Sequence, residues 1–360
     1  MTNTTNDNVS FFLGANTPEG FYSLFPELYS PEDGWRLYII KGGPGTGKST
    51  LMKRIAAAAD RRGQFCERIY CSSDPESLDA VIIPSLKVSI ADGTPPHVIE
   101  PKYPGVSEKF LDLGLFRDDR KLEASREEII ETTKENSFYH KKCVDFLLAA
   151  RSCRNDTASV VIPSMKIASL HKFSEKLSEK LLNSICDTPV KMKKRIISAV
   201  TPEGIRDFSH TVGALSERTV VLYDNFGCAA AVILKFLSLR AAENGIEGYC
   251  CYDFMNPVSS PVALILPSLG LAFQRVKGKP EKNESLTVNC MRFYDSTVLS
   301  RHKNRLAFNS RSENEMISGA GECLIKAKAT HDRLEKYYIS AMDFEKMNDF
   351  SEKLIKEIFD

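Results

Sequence analysis

The sequence predicts an α/β fold of two tandem domains, residues 1–190 and 191–360, each a doubly wound, mainly parallel sheet with an attached helical hairpin. Three observations predict it. A glycine-rich run, GGPGTGKST at residues 42–50, directly follows the apolar residues Leu37, Tyr38, Ile39 and Ile40 and directly precedes a helical pattern. The chain also repeats itself in order: Thr17-Pro18-Glu19-Gly20 returns as Thr201-Pro202-Glu203-Gly204, Pro84-Ser85-Leu86 as Pro267-Ser268-Leu269, and Phe173-Ser174-Glu175-Lys176-Leu177 as Phe350-Ser351-Glu352-Lys353-Leu354. Each copy is displaced by about 180 residues, which a tandem duplication explains and scattered coincidence does not. Beyond the strand-rich part of each copy the composition turns to long charged stretches with helical apolar spacing.

The glycine-rich run satisfies the P-loop pattern, so each domain is expected to be of the P-loop NTPase type, with ATP as ligand and Mg²⁺ as its ion. Gly42, Gly43, Gly45 and Gly47 allow backbone angles in which successive N–H groups face phosphate oxygens, and Pro44 stiffens the turn. Thr46 and Thr50 complete the cradle. Lys48 is expected to reach the β- and γ-phosphates as a point charge, and the Ser49 hydroxyl to ligate Mg²⁺. The helix expected over 49–62 adds its positive N-terminal end, with Leu51, Met52, Ile55, Ala58 and Ala59 as its buried face and Gly63 as its stop. A glycine turn with no ligand would need neither the strand before it nor the amphipathic helix after it.

Laying the second copy on the first puts residues 224–232 on the loop, between a strand expected at 219–222 and a helix at 232–242. Ala230 then stands for Lys48 and Ala231 for Ser49, so this second loop is degenerate. The strand expected at 86–92 ends in Asp92, placed as the second motif's acid is placed to support Mg²⁺ through water. Its counterpart is Arg275. By itself an acid at a strand end is more often a turn residue. Asp74 and Asp79, near the ends of strands expected at 67–71 and 80–83, align with Asn256 and Val262. They are further catalytic candidates for orienting water or a substrate hydroxyl, although an aspartate before Pro75 also starts turns. His97, Glu100 and Lys102 lie on a Pro- and Gly-rich loop that the second copy shortens, and are candidates for substrate contact.

The helical parts are expected at 121–151 and 165–182, with a break at 155–163, and again at 301–338 and 342–359. Phe344, Met347, Phe350, Leu354 and Ile358 form one apolar stripe, suited to packing on the helix's own domain or on a partner helix, so the hairpins are candidate contacts for a protein partner. Arg151, Arg154 and Arg301 are candidate arginine fingers. The balance of 48 basic and 47 acidic residues gives no electrostatic reason to expect a nucleic-acid platform. No apolar span reaches membrane-crossing length and no signal segment opens the chain, so a soluble cytoplasmic protein is expected. Its ten cysteines, Cys186 among them, form no CxxC pair and suit reduced thiols. Residues 1–8 read as a disordered start.

In the segments LGANTPEGFYSLF, IKGGPGTGKST, CSSDPESLDAVIIPSLKVSIADGTPPHVIEPKYPG and AMDFEKMNDFSEKL the chain resembles the bacterial tandem P-loop ATP-binding proteins of about this length. The resemblance spans nearly the whole chain and implies an ATPase-like cytosolic protein. It also implies a second P-loop, from which residues 224–232 depart. Three classes follow: a Mg²⁺-dependent ATPase that moves one lobe against the other or a partner, a small-molecule kinase with residues 92–105 as a lid, and a nucleotide-gated interaction protein with little turnover. No NKxD motif supports GTP.

Overall fold

Short apolar runs bounded by Gly, Pro and Ser become strands, and the longer amphipathic runs become helices. The computed structural model describes residues 9–182, 188–279 and 286–360; the start at 1–8 and Cys186 lie outside them. The first half contributes β1 (Ser10–Phe11), β2 (Gly14–Thr17), β3 (Gly20–Ser23), β4 (Arg36–Lys41), α1 (Lys48–Arg61), β5 (Glu67–Tyr70), β6 (Leu78–Ile83), β7 (Val88–Asp92) and β8 (Glu108–Asp112). The helices α2 (Asp119–Glu123), α3 (Arg126–Val161) and α4 (Ile167–Leu181) follow. The second half contributes β9 (Lys193–Thr201), β10 (Gly204–Asp207), α5 (His210–Ala214), β11 (Arg218–Tyr223), α6 (Cys228–Glu243), β12 (Tyr249–Asp253), β13 (Pro261–Leu266), β14 (Leu271–Val276) and β15 (Thr287–Asn289). It ends in α7 (Ser296–Arg301), α8 (Lys303–Ala341) and α9 (Phe344–Phe359).

The two sheets have matching strand orders. In the first it is β1-β5-β6-β7-β4-β8; in the second, β9-β12-β13-β14-β11-β15 with β10 added beside β9. The strand directions match as well, with β6 and β13 each antiparallel to both neighbours and the remaining matched pairs parallel. The fold is therefore α/β with sheets of mixed parallel and antiparallel pairing, where a mainly parallel doubly wound sheet was expected. Connection length is the reason: residues 71–77 and 84–87 fall short of the dozen or so residues that a parallel crossover needs, so β5, β6 and β7 meander. The repeated tetrapeptides make the same turn in both halves. Thr17 Oγ1 donates to Gly20 O and Thr201 Oγ1 to Gly204 O, each at 2.8 Å.

Strand alternation divides the core into layers. Leu37 and Ile39 of β4 join Ala263, Ile265 and Ala272 of the second sheet in a core shared by both halves. Tyr38 and Ile40 face the other way, into a core with Leu51, Met52 and Ile55 of α1 and Leu354 and Ile358 of α9. Val220 and Leu222 of β11 face a third core, with Ile233 and Leu237 of α6 and Leu170 and Leu177 of α4. The C-terminal helix of each half thus covers the sheet of the other half. Backbone bonds fix the exchange: Asp118 N donates to Ala341 O and Asp343 N to Phe116 O, while Lys166 N donates to Phe293 O and Asp295 N to Ser164 O.

This exchange corrects the picture of a helical hairpin attached to each lobe. The long helices pair with each other, antiparallel, through Glu135–Arg333, Arg154–Glu313 and Asp156–Arg305, over a length on the order of 50 Å. The break expected at 155–163 is shorter: α3 runs to Val161, and a 3₁₀ turn at Ile162–Ser164, with Pro163 inside it, makes the bend. Most of the stripe on α9 is spent inside the molecule, since Met347, Leu354 and Ile358 are buried, while Phe344 at its start is exposed. Among the described residues no helix is long and apolar enough to cross a membrane.

Candidate functional site

Parallel strands β4 and β7 end side by side, with Ile40 opposite Asp92. The chain leaves β4 at Lys41, turns through residues 42–47 and enters α1, whose N-cap Gly47 has φ 89°. That left-handed angle suits glycine and strains other residues. Lys48 turns back over the loop, and its Nζ donates to Gly42 O (3.1 Å) and Gly43 O (2.7 Å) and lies 3.6 Å from Asp92 Oδ2. Both side chains keep 13% exposure, enough to be reached from solvent. Asp92 has two roles at once: Oδ2 faces Lys48, while Oδ1 accepts from Thr94 N (2.8 Å) and Thr94 Oγ1 (2.6 Å) as a turn aspartate does. Ser49 Oγ accepts from Leu78 N (3.0 Å), which ties the start of α1 to β6. Thr46 is buried, its Oγ1 donating to Gly43 O, and Thr50 is exposed on the first turn of α1. No side-chain oxygen of the N-cap closes α1.

The loop is pressed from outside by helices of the other half. A Cβ on Gly45 would come within 2.9 Å of the Glu335 carbonyl of α8, and one on Gly47 within 2.7 Å of Met347 Sδ of α9. The loop glycines therefore serve close approach as well as backbone angle.

The other acids separate. Asp74 holds a turn, accepting from Ser77 Oγ at 2.5 Å, and lies 3.5 Å from Lys328 Nζ of α8. Asp79 is buried beside His97, whose Nε2 is 3.3 Å from Asp79 Oδ2 without hydrogen-bond geometry. Burial pulls the His97 imidazole down, but the charge of Asp79, helped by Asp92, leaves it above its ordinary value. The His97 ring stacks on Phe25 with centroids 4.6 Å apart and meets Phe21 edge-on at 5.1 Å. His97 is thus a buried residue of the site, while Glu100 and Lys102 of the same loop are exposed. Of the arginine-finger candidates, Arg151 pairs with Glu19 and Arg154 with Glu313 and Asp253. Sequence reasoning missed Cys71, which follows β5 and is brought beside Asp79 and the more distant His97, and Lys328, whose contact Asp74 lies in the other half of the sequence.

The second loop differs from the expected overlay. Register pairs Leu222 with Arg275 as it pairs Ile40 with Asp92, which keeps Arg275 opposite Asp92. The helix N-caps are Gly47 and Gly227, with φ 89° and 82°. The second loop is therefore two residues shorter, and Cys228 and Ala229, rather than Ala230 and Ala231, take the places of Lys48 and Ser49. The sequence overlay places these positions two residues off because an ungapped match cannot see a deletion inside a turn. Neither alignment restores a cation or a hydroxyl. What fills the shortened loop is Asp224, fully buried: its carboxylate accepts from Phe226 N (3.0 Å), Ala230 N (2.9 Å) and Tyr294 OH (2.9 Å). A side-chain carboxylate thus occupies the N-terminus of α6, a position that favours negative charge. Arg275 covers the same turn, since a Cβ on Gly227 would meet its guanidinium at 2.4 Å.

Compared with protein-family models, curated proteins and solved structures, the chain finds no match.

Proposed function

We propose that the chain binds one Mg-ATP at residues 42–50 and hydrolyses it, and that the nucleotide state is passed to α8 and α9. The observation that carries this reading is the contrast between two loops at equivalent places in the two sheets. One has Lys48 and Asp92 beside an uncapped helix N-terminus; the other has its own carboxylate, Asp224, bound there. In this reading Lys48 exchanges two carbonyl partners for the β- and γ-phosphates, Ser49 ligates Mg²⁺, and Asp92 orients its water shell. Asp74 and Asp79 are given no part in the chemistry. A shift of Gly45 or Gly47 on phosphate binding is passed on through the Glu335 carbonyl of α8 and the Met347 side chain of α9, which lie close against the loop.

Calorimetric titration with Mg-ATP is expected to saturate at one nucleotide per chain, with phosphate released without an added acceptor. Hydrogen exchange should show protection centred on residues 42–62 and around Asp92, and little at 224–242. Two bound equivalents with comparable protection near Asp224 would refute the one-site reading.

Asp92→Asn is expected to lower Mg²⁺-dependent turnover by roughly tenfold or more, the loss typical when a group supporting a metal's ligands is removed. Metal-free nucleotide binding should change far less. Equal turnover in variant and wild type at saturating Mg-ATP would leave Asp92 a turn residue only.

A further inference from the structure

We propose that Cys71, Asp79 and His97 form a binding site for a divalent transition-metal ion of the zinc class, separate from the Mg²⁺ expected at Ser49 and Asp92. The three residues come from three segments: the end of β5, the second residue of β6, and the loop after β7. One ligand atom from each lies within 4.8 Å of the others. In a tetrahedral zinc site, bonds of about 2.0–2.3 Å put ligand atoms roughly 3.3–3.8 Å apart. Small side-chain movements close that gap, and Asp79 Oδ2 and His97 Nε2, at 3.3 Å, are already at that spacing.

Two further observations point to a cation. Asp79 is 4% exposed, and its Oδ2 makes no hydrogen bond among the described residues; what faces it is the His97 ring, 3.3 Å away. A buried carboxylate oxygen left so carries a desolvation cost that a metal ion would remove. The His97 ring is also held in one plane by Phe25 and Phe21, as a ligand imidazole needs to be. The donors then choose the metal: thiolate and imidazole with one carboxylate suit Zn²⁺, whereas Mg²⁺ takes oxygen ligands. Binding displaces the Cys71 proton, and any proton on His97 Nε2, to solvent, and the thiolate and the Asp79 carboxylate together balance the dication. A fourth coordination position stays open for water or substrate.

The fold alone does not generate this donor set. Register puts Asp253 in the place of Cys71 and Val262 in that of Asp79, so the half whose phosphate loop is filled by Asp224 also lacks these donors.

The full chain, chelator-treated and kept reduced, tests the site by titration with Co²⁺ and competition with Zn²⁺. A thiolate-to-cobalt charge-transfer band is expected to saturate at one equivalent and to be displaced by Zn²⁺. Cys71→Ser should abolish it, and the isosteric Asp79→Asn should weaken Zn²⁺ binding by at least about tenfold. Lys48→Ala should leave the band intact while removing nucleotide binding, so the metal and nucleotide readings fail separately. No band in the wild type, or a band undiminished in a Cys71→Ser protein with native circular dichroism, would overturn the proposal. Should Cys71→Ser fail to fold, unchanged Zn²⁺ affinity in Asp79→Asn would overturn it equally.

Discussion

Lys48→Ala is expected to remove most triphosphate binding and leave the fold intact. The two sides of this expectation rest on different contacts. In the free protein Lys48 makes two hydrogen bonds, to Gly42 O and Gly43 O, and neither carbonyl is stranded by its loss, since water reaches a side chain that is 13% exposed. The cost to stability is then of the order of 1 kcal/mol. In the nucleotide complex the same ammonium meets the most highly charged part of the ligand, where hydrogen bonds to charged groups contribute about 1.5–3 kcal/mol, or roughly ten- to more than a hundredfold in affinity. Calorimetry with Mg-ATP reads that loss directly. Thermal unfolding gives a second reading: at about 100 times its dissociation constant a ligand adds roughly 2.7 kcal/mol to the stability of the wild type, and at that concentration the variant should gain much less. Unchanged affinity in the variant would remove the central proposal.

What the sequence revealed, and what it hid, follows the range of the interactions involved. The loop at 42–50 was legible because its chemistry is local: a strand, a glycine-rich turn and a helix start lie in one stretch, and Lys48 folds back on carbonyls only a few residues away. The repeat was legible for the same reason, since each copied tetrapeptide closes its own turn. The strand directions were not, because an apolar run does not say whether the next one returns beside it or crosses over; the length of the connection decides that. The exchange of α4 and α9 was hidden altogether. A helix with one apolar stripe, such as Phe344–Phe359, fits either sheet equally well by pattern; the bonds between residues 116–118 and 341–343, with Lys109–Glu357 and Arg54–Asn348, commit it to the other half. Cys71, Asp79 and His97 were missed as a group because the loop that carries His97 meets the ends of β5 and β6 only once the sheet has formed.

Glu67→Gln is expected to cost about 3–5 kcal/mol of folding stability, because it breaks a buried ion pair while leaving its partner in place. Glu67 lies on β5 in the first sheet and Arg195 on β9 in the second, and the two are 1% and 2% exposed. Glu67 Oε2 accepts from Arg195 Nε (2.9 Å) and Nη2 (2.8 Å), and Oε1 accepts from Tyr249 OH (2.8 Å). The guanidinium also lies near the Phe11 and Tyr249 rings, 5.8 and 5.6 Å from their centroids. Beside it the sheets are joined by backbone bonds between Phe12 and Ile196. Removing the charge of Glu67 leaves a guanidinium at the joint between the halves with neither water nor a carboxylate to balance it. Arg195→Met should cost a similar amount by stranding Glu67. The double variant Glu67→Met with Arg195→Met should recover much of that loss, since a buried pair exchanged for apolar groups of similar volume is often neutral. Tyr249→Phe, which takes one donor from a charged acceptor, should cost less, about 1.5–3 kcal/mol. Urea unfolding followed by circular dichroism and by Trp35 fluorescence checks the series, and because the pair lies against Phe11 and Tyr249 of the core shared by both sheets the two probes should shift together. Single variants within about 1 kcal/mol of the wild type, or a double variant no better than either single one, would mean that this pair does not bind the two halves into one cooperative unit.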